Sequence, residues 1–368
     1  MRSSYLAIGV ILAAHAAGAG VPASASASCV NPGGTGGCFS SVQAAVDAAG
    51  LREVVDVAPG TYFENVTIGP GSRLTLVGAG TSTILDGGAV GAVIRIAGPR
   101  TRVTLEGMTI RNGSDSGVTA DRSRVKIVGC LITENTGEIG GGIGDFGEGR
   151  ARFEIVESSI VDNAATFNGG GISVLGPSSA TLVRSTVSGN AGMQGGGISA
   201  ANARLVLESS TVSGNTASTG GGVQGGGLVR GVVRIRNSTI AGNTAIGSGG
   251  GLRMVGGRAI VGATILAQNS APTGPDCYVP EGPMASRGFN LLGDPSDCDV
   301  RGRTSLDLNG VDPLLGPLQN NGGPTETHAL LAGSPALGAI GNPRLCAEPD
   351  QRGEPRTIPC DIGAFEAP

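Results

Sequence analysis

Short bursts of alternating apolar and polar residues run through most of the chain. Each is about four residues long, the length and period of a strand buried on one face. One type of burst reads Ala203-Arg204-Leu205-Val206-Leu207 or Val232-Val233-Arg234-Ile235-Arg236. A second type ends in an asparagine, at Asn112, Asn135, Asn163, Asn190, Asn215, Asn243 and Asn269, spaced 23 to 28 residues apart. Glycine triplets stand between these asparagines at 140–142, 169–171, 195–197, 220–222 and 249–251. Each triplet leads into a third burst, such as Ile172-Ser173-Val174.

Three short strands per repeat predict an all-β fold, a right-handed parallel β-helix of three-strand coils. A single unit cannot bury its apolar face alone, so the units stack and inward side chains fill one continuous core. Parallel connections favour the right hand. About ten coils at a strand spacing of about 4.8 Å give a rod on the order of 50 Å. At one corner the asparagines are expected to tolerate a left-handed turn and to bond amide to amide up the stack. The glycine triplets are expected at positive-φ corners. No phosphate-binding loop of the G-x-x-x-x-G-K-S/T type occurs.

The first 27 residues depart from this pattern. Arg2, the apolar run Tyr5–Ala14 and the ending Ala25-Ser26-Ala27 read as a signal peptide with its cleavage site. The domains then run 1–27 signal peptide, 28–70 N-terminal cap and first coil, 71–275 β-helix repeats, and 276–368 last coils with an irregular C-terminal cap. Export makes disulfides available. Of the seven cysteines, the local pairs Cys29–Cys38, Cys277–Cys298 and Cys346–Cys360 would staple the ends, leaving Cys130 as a buried thiol in an apolar strand. With no C-x-x-C pair, cysteine is not expected to hold metal. A net charge of −4 and a single lysine, Lys126, give no reason to expect nucleic-acid binding. Seven Phe, three Tyr and no Trp leave few flat faces for sugar stacking.

The segment Cys38–Ala49 has the apolar period of a short helix, followed by strand-like Val54–Val57, Ala58–Tyr62, Glu64–Ile68, Leu74–Gly78 and Thr83–Gly87. This stretch resembles the N-terminal cap and first coils of the pectin-lyase-like β-helix superfamily. The resemblance implies a helix that plugs the end of the rod. The glycine and asparagine repeats are similar to those of polymorphic outer-membrane proteins. Asp312–Thr325, His328–Ala336, Asp350–Gly353 and Cys360–Glu366 resemble the signature of a choice-of-anchor Q domain. Such proteins often continue into a sorting tail. The sequence here ends at Pro368, so release or periplasmic residence is the expectation.

Pectin-lyase-like folds carry lyases, hydrolases and esterases, and the residues must decide among roles. A hydrolase of the polygalacturonase type needs closely spaced aspartates with a Gly-His-Gly segment, which is absent. His328 is the one histidine outside the signal and is expected to pack within the cap. A calcium site needs converging acids. The repeats offer Asp115, Glu134, Glu138, Asp145, Glu148 and Asp162, of which coiling could bring Glu134, Asp145 and Asp162 together. Asp350, Arg352, Asp361 and Glu366 are expected to form ion pairs in the cap. No catalytic, cofactor or metal residue is assigned. The expected function is a non-enzymatic secreted, surface or periplasmic scaffold, adhesin-like or glycan-contacting, with polysaccharide or envelope components as partners. The alternative is a polysaccharide lyase or glycoside hydrolase assembled from different coils.

Overall fold

The computed structural model describes residues 28–145, 150–227 and 231–368. The signal segment and Glu148 therefore lie outside the described residues. The chain winds as a parallel β-solenoid in which each turn visits three faces. A turn passes through Val118–Asp121 on the first face, Arg124–Val128 on the second and Leu131–Thr133 on the third. Among the described residues the third face stacks eleven strands. Its inward row is Leu85, Ile110, Ile132, Ile160, Val187, Val212, Ile240, Leu266 and Leu292, all buried and paired in register. Period-two alternation repeated coil after coil forces such rows, because a slip of one residue would turn each apolar set outward. Among the described residues five turns also carry a fourth strand, including Thr136–Ile139 and Thr216–Thr219.

A helix, Val42–Ala48, covers the N-terminal end and buries Val42, Ala45 and Val46 on the core. Glu64 holds its first turn by accepting hydrogen bonds from the Ser41 hydroxyl (2.9 Å) and the Val42 and Gln43 amides (2.8 and 2.9 Å). These are donors that a helix start leaves unpaired. Disulfides join Cys29 to Cys38, Cys277 to Cys298 and Cys346 to Cys360, and Cys130 is a buried free thiol. Bonds of this kind persist in an oxidising compartment. No helix among the described residues is long and apolar enough to cross a membrane.

Residues 311–368 lie along the side of the rod, against the outer surface of the third face. The Thr186 hydroxyl donates to Glu326 O (2.7 Å), the Thr211 hydroxyl to Gln351 Oε1 (2.6 Å), and the Ala364 amide to Thr239 Oγ1 (3.1 Å). A second core forms there from Ala263, Ile265, Ala267 and Leu291 of the coils with Ile340, Ile362 and Phe365 of the tail. The physical reason lies in the outward row Thr186, Thr211, Thr239, Ile265, which starts with small hydroxyls and turns apolar. An outward apolar residue needs a cover, and the tail supplies it.

Candidate functional site

The asparagine column is closed to ligands. Asn135 Nδ2 donates to Asn163 Oδ1 (3.0 Å), and the same bond repeats through Asn190, Asn215, Asn243 and Asn269, where Asp276 ends the series. Each Oδ1 also accepts the backbone amide at the ladder position before it, Gly113 for Asn135 (2.9 Å) and an asparagine thereafter, as Asn190 Oδ1 does from Asn163 at 2.9 Å. These side chains are buried, with their donors and acceptors used inside the stack.

Two expectations about this column are corrected. Asn112 is outside it: Ile110 pairs with Ile132 and Arg111 with Thr133, so Asn112 aligns with Glu134 and Gly113 takes the ladder position. Asn112 Nδ2 instead donates to Asp86 at 2.8 Å. The left-handed turn belongs to the residue before each ladder asparagine, including Glu134 (φ 56°), Asp162 (φ 55°) and Gly189 (φ 66°). That turn lets the next side chain point inward. In the glycine triplets only the first member has positive φ. The third is needed for space: a Cβ on Gly197 would stand 2.7 Å from Gly222 O and 3.0 Å from the Asn215 amide.

Coiling stacks Glu134 and Asp162 on adjacent coils and keeps Asp145 apart from them. Glu134 and Asp162 follow register partners Thr133 and Val161 at one corner, whereas Asp145 ends a strand of the first face. Asp145 is buried, accepts the Leu175 amide (3.1 Å), and has its pKa pushed up by desolvation. Asp115 pairs with Arg95 at 3.2 Å, and Glu138 is exposed on the fourth strand. Among the described residues no three of His, Cys, Asp and Glu gather as a metal site. His328 bridges tail and coils. Its Nδ1 donates to Gly316 O (2.7 Å), so Nε2 accepts the Ser213 hydroxyl (2.8 Å), and burial lowers its pKa. Asp350 binds Arg352 (2.8 Å), Glu366 binds Arg356 (3.3 Å), and Asp361 accepts the Gly338 amide (2.7 Å).

One feature escaped the reading of the sequence. On the second face, Arg73, Arg102, Arg124 and Arg152 are register partners on consecutive strands. Arg52, whose amide donates to Arg73 O, extends the column by one coil. A second column occupies the preceding corner: Arg100, Arg122 and Arg150, with φ of 66°, 47° and 80°. An L-residue in that conformation costs about 1–2 kcal/mol. Farther along the same corner stand Asn202 (φ 55°) and Gly256 (φ 67°), residue types that take it readily. Turn formation therefore gives no reason for arginine.

Nor does charge balance. Like charges placed directly opposite on neighbouring strands destabilise a sheet. Glu154 is taken by Lys126 (3.2 Å) and Asp121 by Arg122 (3.1 Å). Arg73, Arg102, Arg124 and Arg152 have no carboxylate within ion-pair distance among the described residues. The two columns border adjoining open grooves of about 630 and 490 Å3. Thr75, Thr104, Ser179 and Thr181 add hydroxyls along the larger one. The result is a strip of fixed positive charge with hydrogen-bond donors, suited to an extended anion. An arginine opening four consecutive strands of this face was the available signal, hidden by a net charge averaged over the chain.

Residues 92–271 match the family model for a right-handed β-helix region. No curated protein matches the sequence. Among solved structures, pectate lyase Pel9A is similar over 93% of this chain and 97% of its own, with 13% identity and a TM-score of 0.56. A pectin methylesterase from Aspergillus niger gives 15% identity, 77% and 94% coverage and a TM-score of 0.41. The pectin methylesterase from carrot gives 14% identity, 80% and 91% coverage and 0.44. The fold is thus a right-handed parallel β-helix, shared with that pectate lyase.

Proposed function

We propose that this protein is an exported, non-enzymatic β-helical scaffold that holds an acidic polysaccharide along its arginine-bearing face. The observation that carries the reading is the column Arg73–Arg102–Arg124–Arg152 beside Arg100–Arg122–Arg150, like charges stacked where neither charge balance nor turn geometry requires them. One arginine per coil recurs at about 4.8 Å, a distance comparable with one sugar unit of an extended chain. Guanidinium groups bind carboxylates or sulfates through paired hydrogen bonds, and the neighbouring hydroxyls suit sugar oxygens. Recognition by charge and hydroxyl fits a chain poor in aromatic faces. As part of the same proposal, the signal segment sends the protein out of the cytoplasm. The repeats and C-terminal signature are then those of polymorphic outer-membrane-type and choice-of-anchor Q-type surface or secreted proteins.

The test titrates purified mature protein with polygalacturonate, alginate and neutral dextran at low and high salt. Binding is expected for the two acidic polymers and not for dextran, and it should weaken with salt as exposed charges are screened. The triple variant Arg102→Gln/Arg124→Gln/Arg152→Gln should bind at least about tenfold more weakly, a loss of about 1.4 kcal/mol. Equal binding of dextran, or an unaffected triple variant, would overturn the reading. The same samples are assayed for chain cleavage with and without calcium. Cleavage that a chelator abolishes would replace the scaffold with a lyase.

A further inference from the structure

Farther along the second face a different groove opens between the sheet and the C-terminal segment. Its volume is about 560 Å3, within the range of small-molecule sites. Arg204 and Arg234 enter from the sheet, Arg287 and Arg303 from the last coils, and Arg344 from the tail. The carboxylate among its lining residues, Glu208, is already taken by Arg236. The other five arginines have no carboxylate at ion-pair distance among the described residues. The groove thus holds uncompensated positive charge.

Its floor differs from that of the N-terminal half. The outward row that reads Thr75, Thr104, Lys126, Glu154, Thr181 in the earlier coils becomes Val206, Arg234, Ile260 here. Leu345 faces this floor from the tail, with its carbonyl held by Asn237 Nδ2 at 3.0 Å. Packing of the tail accounts for apolar residues at this place and leaves the arginines unexplained. Polysaccharide binding accounts for arginines and leaves the apolar floor unexplained. A ligand with both characters accounts for both.

We propose that this groove binds a small amphiphilic anion, a phosphate or carboxylate head on an apolar body, at a site separate from the polysaccharide face. The head lies among the arginines and the body lies over Val206 and Ile260. The proposal does not rest on the polysaccharide reading, since its probe carries no sugar.

The experiment is calorimetric titration of the mature protein with decyl phosphate below its micelle concentration, beside inorganic phosphate and the neutral decyl maltoside. Decyl phosphate is expected to bind at one site, at least about tenfold tighter than either control. Arg234→Gln and Val206→Thr should each weaken it by about tenfold, with melting curves verifying the fold of both variants. Inorganic phosphate binding as tightly as decyl phosphate, no effect of either variant, or displacement by excess polygalacturonate would each overturn the proposal. Co-sedimentation with phosphatidylglycerol vesicles separates the sources. Sedimentation lost in Arg234→Gln places the anion in a bilayer, and decyl phosphate binding without sedimentation places it free in solution.

Discussion

Arg124 and Arg152 are register partners on adjacent strands of one sheet, both exposed and two residues from the Lys126–Glu154 ion pair. The sheet places an ion pair at one outward position and two like charges at the next. Opposite charges were thus available to this surface, and the arginine column does not use them. A protein that gives up stability at one place while balancing charge beside it has the pattern of a functional surface.

Arg100 tests that trade directly. Its backbone is left-handed (φ 66°), which glycine adopts without the steric cost. Arg100→Gly is expected to raise stability by about 0.5–1 kcal/mol after the entropy cost of glycine, and to weaken polygalacturonate binding. Calorimetric melting and titration on one preparation read both effects. A loss of stability with unchanged affinity would count against the functional reading.

Within the ladder, Asn215 Nδ2 donates to Asn243 Oδ1 (2.8 Å), Val187 O (3.0 Å) and Ser213 O (3.1 Å). Asn215→Asp turns those donors into an acceptor facing three oxygens. The expected cost is about 3–5 kcal/mol at neutral pH, as for an uncompensated buried charge. The new carboxyl titrates high in the folded state, so folding gains relative stability where the group is protonated. Urea melts of the variant should therefore show a smaller deficit at pH 4 than at pH 7.

His328 couples the tail to the coils in its neutral form, donating from Nδ1 and accepting at Nε2 from Ser213. Burial lowers its pKa below the ordinary value of 6.5. Above that value both folded and unfolded chains hold it neutral, and its contribution is complete. As pH falls below it the unfolded chain takes up the proton first, and stability drops until the folded pKa is reached. Melting temperatures between pH 7.5 and 5 should decline for the native protein and decline less for His328→Gln.

In the tail, Arg356 is buried, donates to Glu366 (3.3 Å) and to the Gly363 carbonyl (2.7 Å), and anchors the last residues. Arg356→Met leaves the Glu366 charge in the interior and should cost about 3–5 kcal/mol. Limited proteolysis is expected to cut between residues 311 and 368 while the stacked coils resist. The double variant Arg356→Met/Glu366→Gln should recover part of the loss, and no recovery would show that the bonds to backbone carbonyls dominate.

What the sequence determined is what repeats locally. Strand alternation has a period of two, and each coil restates it, so the inward rows and the parallel β-helix could be read from the spacing of apolar residues. Asn112 shows where that reading fails. It ends a similar-looking segment, yet pairing of Ile110 with Ile132 places it one residue before the ladder position, and register depends on the neighbouring strand. The candidate site depended on the third dimension still more. Arg73, Arg102, Arg124 and Arg152 are distant along the chain, and only winding sets them at strand spacing. The course of the tail was likewise decided by tertiary packing, because Ile265 and Leu291 on the outside of the coils need a cover that no local pattern names. Periodicity specifies what each coil buries, whereas the contacts between coils decide what the surface brings together.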